Sequence, residues 1–250
     1  MKASSINEVI QYLDIIIRDC GQKSSRIGYF ASLYKAMTIG VQVSIEQGVF
    51  ENGPRMELLD VAFANRYLDA YTRFSAGQLA THAWMHAFKA AEQSNLSVVQ
   101  HLLLGINAHI NLDLGIAAAA ISTAEDIESL HHDFNLINVV IANVYLALQK
   151  ELKKISWPVM FLKSLDPTVA DDIVNFSIQK ARDTAWNNAL TLAKSTTVQD
   201  EDIIRATDNI VSEVATRIQN PGGFVNLIVK GILLFESNNV AKNIKILNPE

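Results

Sequence analysis

SVVQHLLLGINAHINLDLGIAAAAI, residues 97–121, is apolar on nearly every side yet carries His101, Asn107, His109, Asn111 and Asp113. A helix that is hydrophobic all round belongs inside a fold, so this stretch marks the centre of an all-α protein. At about 100° per residue, His101, Gly105, His109 and Asp113 drift by about 40° per step and share one broad face. Asn107 and Asn111 fall roughly opposite. Side chains four apart lie about 5–6 Å from each other at Cβ. His109 and Asp113 therefore either share a ligand or form a pair in which the carboxylate orients the imidazole. The plainest alternative is a core histidine satisfied by its own carboxylate. An unpaired buried charge is costly, so Asp113 needs a partner from another helix.

Working outward, VADDIVNFSIQKARDTAWNNALTLA (169–193) offers that partner. Val174, Ile178, Ala181, Ala185, Ala189 and Ala193 form an apolar stripe, and Arg182 falls inside it beside Trp186. An arginine so placed snorkels or pairs with a carboxylate, and Asp113 is the first expectation. In YFASLYKAMTIGVQVSIEQG (29–48), Tyr34 lies between Phe30, Met37 and Val41. Its phenol needs a hydrogen-bond partner once buried. Phe63, Tyr67, Ala70 and Phe74 define the core face of the next helix, with Arg66 and Asp69 read as a surface pair. His82 and His86 have metal-ligand spacing, but Trp84 and Phe88 set the buried face and turn both histidines toward solvent. His131 and His132 lie in a connection that could fold over the central face, and Asp133 reads as the N-cap of the helix that follows.

Apolar residues recur at helical spacing along the chain, without period-2 alternation. Helices are expected near 5–19, 25–50, 55–75, 77–93, 97–122, 133–154, 168–194, 199–218 and 222–236. Ser97 and Thr168 stand at N-cap positions, and Asn-Gly-Pro at 52–54, Asp-Pro at 166–167 and Asn-Pro-Gly-Gly at 220–223 are turn chemistry. The short breaks imply a single-domain bundle of about eight or nine helices over 1–250, built around 97–122.

Apolar residues make up 49% of the chain and charged residues 19%, and the mean hydropathy is +0.14. Much of each helix must be buried, with enough apolar surface left for a homo-oligomer interface. The net charge of −5 and the scattered basic residues give nothing to neutralise a phosphate backbone, so no nucleic-acid partner is expected. A single cysteine, Cys20, allows neither an internal disulfide nor a tetrathiolate site and suits a reducing cytoplasm. No run reaches the ~18 uninterrupted apolar residues of a spanning helix, so no membrane partner is expected. FVNLIVKGILLF (224–235), broken by Lys230, reads as a buried C-terminal helix.

Two functions follow from the central polar group. One is a metal-assisted or acid/base hydrolase-like enzyme with His109, Asp113, Tyr34 and Arg182 as its catalytic set. Tyr34 and Arg182 would then position an anionic or carbonyl-bearing small molecule. If a divalent metal takes part, His109, Asp113 and His101 are its ligands. Paired Glu-x-x-His motifs are absent, which argues against a di-iron oxygen-activating centre. The other function is a non-catalytic small-molecule-binding or interaction module whose His/Asp/Arg cluster fixes helix register.

HLLLGINAHINLDL (101–114), with YFASLYKAMT (29–38), FANRYLDA (63–70), WMHAF (84–88), DFNLIN (133–138) and ARDTAW (181–186) in order, resembles the bacterial family of unknown function DUF5995. The resemblance spans roughly residues 25 to 195. It implies an α-helical fold and a shared polar centre at Tyr34, His109, Asp113, Arg182 and Trp186, with no established activity attached. The His-x-x-x-Asp of 109–113 is also distantly similar to zinc-dependent phospholipases C. The departures are that no histidine follows Asp113 in the helix and that six histidines are few for a trinuclear cluster.

Overall fold

Unpaired amide groups at a helix start need acceptors. Here Ser5, Asn52 and Ser97 supply them, taking the amides of Glu8, Arg55 and Gln100. At Ser97 the Gln100 side chain accepts in return from the Ser97 amide, closing a capping box. The computed structural model describes residues 1–155 and 178–249. Among these, every regular element is helical. The first five are α1 (Ile6–Lys23), α2 (Ile27–Glu46), α3 (Gly53–Ser75), α4 (His82–Ala91) and α5 (Val98–Ile106). A π-helical segment (Asn107–Asp113) leads into α6 (Leu114–Ala120), and a 3-10 turn (Ile127–Leu130) leads into α7 (His131–Ile155). Then come α8 (Ile178–Ala193), α9 (Thr197–Gln219), α10 (Gly223–Leu233) and α11 (Val240–Leu247).

The described residues thus hold eleven α-helices where the sequence predicts about eight or nine. One is added because the π segment divides the central helix, and another because Val240–Leu247, capped by Asn239, forms a helix of its own. The helix expected over 168–194 is described only from Ile178. Thr168 and the Asp-Pro turn at 166–167 lie outside the described residues.

The α5–π–α6 span is the hub. It is packed by α2, α3, α4, α8 and α9. By length and composition Val98–Ala120 could cross a membrane, but 67% of its apolar window is buried inside the protein. Its tightest crossing is α6 on α8. A Cβ at Gly115 would stand 2.7 Å from the Ala185 carbonyl oxygen, which is backbone and cannot step aside. Gly115→Ala is expected to lower the unfolding free energy by about 2 kcal/mol through overpacking, despite alanine's better helix propensity. A urea titration with an unchanged slope checks this. A stabilised variant would mean that the two helices are not held at that distance.

Two expectations fail here. Asp133 is not a cap for its own helix, because α7 begins two residues earlier, at His131. Its carboxylate accepts from the Glu51 and Asn52 amides instead, at 2.8 Å each, holding the turn that enters α3. The helix around 224–235 is buried on one face only: Val229 and Ile232 are buried, whereas Leu227 and Leu234 are exposed. Helix α4 follows its predicted phase in large part, with Trp84 and Phe88 buried, His82 exposed and His86 half-buried. Its first amides, on His82 and Ala83, donate to Asp208 of α9 at 2.7 and 2.8 Å.

Candidate functional site

The π segment widens the central helix just where its polar residues cluster. The Leu114 amide donates to the His109 carbonyl, five residues back. Single π turns within α-helices are frequent at functional sites. Here the wider turn keeps His109 and Asp113, four apart, on one side with Nδ1 of the ring 3.2 Å from Asp113 Oδ2. On the other side Asn107 is anchored. Its Nδ2 donates to the Val211 carbonyl of α9, and its Oδ1 accepts from Asn111.

Asp113 is 1% exposed and carries three partners. The Trp84 indole donates to Oδ2 at 2.8 Å, and Arg66 Nε donates to Oδ1 at 3.1 Å. His109 is the third, which fixes its tautomer. Burial pushes the imidazole below its ordinary pKa, with Arg66 adding to the effect and Asp113 opposing it. The ring is therefore neutral at pH 7. A neutral imidazole facing a carboxylate holds its proton on Nδ1, so Nε2 carries the lone pair. That nitrogen is buried and has no hydrogen-bond partner.

Aromatic rings enclose the imidazole. Phe63 stacks on it at 3.5 Å between centroids and 8° between planes, and Tyr34 meets it edge-on at 4.4 Å. Phe30, Trp84 and Tyr67 complete the wall at 5.7, 5.9 and 6.2 Å. Phe63 and Arg66 are only half-buried, so they form the side of the chamber nearest solvent. Beyond His109, the Tyr67 hydroxyl and one oxygen of Asp60 are also buried without partners, and the buried hydroxyls of Tyr34 and Thr38 have only each other. Burial, with Glu57 as a second cause, raises the Asp60 carboxyl to about 7. Native interiors leave few polar atoms unpaired, and such a concentration marks a place for water or a ligand.

The structure brings together three of the four residues proposed as catalytic: Tyr34, His109 and Asp113. Arg182 is elsewhere. It donates to the Phe134 carbonyl, and its guanidinium lies 4.3 Å over the Phe134 ring, tying α8 to α7. It does not meet Asp113, whose oxygens are taken by Arg66, Trp84 and His109. The proposed metal ligands are not assembled either. The Phe30 ring packs where a Cβ of Gly105 would be, between the turns bearing His101 and His109. His101 faces Tyr29 instead. Among the described residues no group of three His, Cys, Asp or Glu side chains could hold a metal ion. The ligand set does not fit a divalent metal for a further reason: Asp113 already neutralises a cation, Arg66. His131 does not fold over the central face but stacks on Trp186 at 4.6 Å.

Arg66, Trp84 and Phe63 are the residues the sequence reading passes over. Arg66 is not paired with Asp69, which Arg73 binds at 2.7 Å. A usable signal was there: Arg66 follows Phe63 by three and so shares its core-facing side. Trp84, on the buried face of α4, has an N–H that must find an acceptor.

An all-α bundle with a buried, carboxylate-oriented histidine at a π turn is the class that fold and site define. The chain belongs to the family described as Family of unknown function (DUF5995), whose model matches residues 6–221 and so includes every side chain of this site. No curated protein and no solved structure matches it.

Proposed function

We propose that His109 is the acid/base centre of an enzyme acting on a small polar substrate by hydrolase-like chemistry. The observation that carries this is the unpartnered Nε2 of a neutral imidazole whose other nitrogen is held by Asp113. Nε2 accepts a proton from water or a substrate hydroxyl, and Asp113 stabilises the imidazolium that forms. Tyr34, whose hydroxyl lies near Thr38 and whose ring meets the imidazole, donates to the oxygen on which negative charge develops. Substrate enters where Phe63 and Arg66 separate the imidazole from solvent. The single cysteine, Cys20, is a free buried thiol, which suits a cytoplasmic setting.

The test is a panel of chromogenic carboxylic and phosphoric esters, with wild type compared against His109→Gln and Tyr34→Phe. Turnover should fall by about 10²–10⁴-fold in His109→Gln and by less in Tyr34→Phe. Turnover equal in all three would end the acid/base role.

One observation favours a second reading, a structural network in a non-catalytic module: His109 is only 3% exposed. Under that reading wild type turns over none of the panel, and His109→Gln unfolds at markedly lower urea.

A further inference from the structure

On the far side of Phe30 from His109, a second polar group sits over a small cleft. Arg26, Phe30, Tyr67, Trp84, Ala87 and His101 line it. His101 is 6% exposed, and its ring nitrogens make no well-formed hydrogen bond, only a weak one to the Leu96 backbone. Arg26 stands at the N-cap of α2, and its side chain makes one long hydrogen bond, from Nη1 to the Ala91 carbonyl at 3.4 Å. Among the described residues no carboxylate pairs with it. The cleft volume is about 20 Å³, room for about one water.

A guanidinium without a counter-ion offers a planar fork of donors suited to a carboxylate. Burial and the nearby Arg26 push His101 down to about 4, so at pH 7 it is neutral and offers one N–H. Ile27, Ala87 and Ala91 supply an apolar border.

We propose that the Arg26–His101 cleft binds the carboxylate of a small organic acid, whose apolar body lies along Ile27, Ala87 and Ala91. Arg26 supplies the charge and His101 the neutral donor. Neither belongs to the His109 dyad, so this site stands whether or not His109 is catalytic.

The test uses the full chain and benzoate as probe, with benzamide and inorganic phosphate as comparisons. Calorimetry measures affinity, and nitrogen NMR follows the His101 ring and the Trp84 indole. Benzoate should bind saturably, shift both signals, and bind more than about tenfold more weakly to Arg26→Gln, which loses charged hydrogen bonds. Arg26→Gln should fold normally, since it forfeits only the 3.4 Å bond. The proposal is overturned if benzoate shows no saturable binding, if benzamide binds as well, or if Arg26→Gln binds like wild type. Phosphate binding as tight as benzoate would overturn the carboxylate assignment.

Discussion

Asp113→Ala is expected to lower the unfolding free energy by about 3–5 kcal/mol, the range for stranding the partners of a buried charge. Three donors converge on this carboxylate, and they do not lose equally. The Arg66 side chain is 34% exposed and can turn its guanidinium to water. The Trp84 indole N–H and the His109 Nδ1–H are sealed in and would have to break the core open to find an acceptor. Asp113→Asn keeps one acceptor oxygen and should lose roughly half as much. Denaturant unfolding of the three proteins measures this. A loss below about 1 kcal/mol for the alanine variant would show that the carboxylate is not the buried tie described above.

Asp60→Asn should act in the other direction, and only at high pH. The Asp60 carboxyl, raised to about 7 from 3.8, binds its proton more tightly folded than unfolded. Its favourable contribution is therefore complete below the unfolded value and is lost as pH rises through about 7. Asparagine does not ionise and escapes that loss. Wild type and variant should unfold alike at about pH 4, and the variant should be more stable at about pH 8 by up to roughly 4 kcal/mol. Other groups also titrate in this range. Glu236 is raised by burial like Asp60, whereas His101 and His109 are lowered. They are common to both proteins and cancel in the difference. A gap that does not change with pH would mean that Asp60 is ionised throughout, with a compensating partner.

Helical periodicity made most of the fold legible, because burial on one face is what fixes which residues are apolar. Trp84 turned in and His82 turned out follow from phase alone. The central helix was recognisable for the same reason, and its His109–Asp113 pair came from spacing. What periodicity does not carry is reach. Arg66 sits at the edge of its core face, and its long side chain crosses to another helix, while the nearer carboxylate, Asp69, goes to Arg73. Arg182 shows the converse. It lies in an apolar stripe as expected, but a backbone carbonyl and a ring engage it where a carboxylate was expected. Long-range partner choice depends on which helices touch, and pattern along one helix does not contain that.

The π segment also sets local regularity against the site. A chain one residue shorter between 107 and 113 could run on as unbroken α-helix, with better-aligned backbone hydrogen bonds and its two ends in ordinary register. It would also change the angle between Asn107 and Asp113 by about 100°, so that one of them loses its partners on the neighbouring helices. The extra residue is thus a length constraint written into the backbone. Side-chain substitutions around the chamber can be compensated by neighbours, whereas a single deletion in this turn would put Asn107 and Asp113 out of register with the helices that hold them.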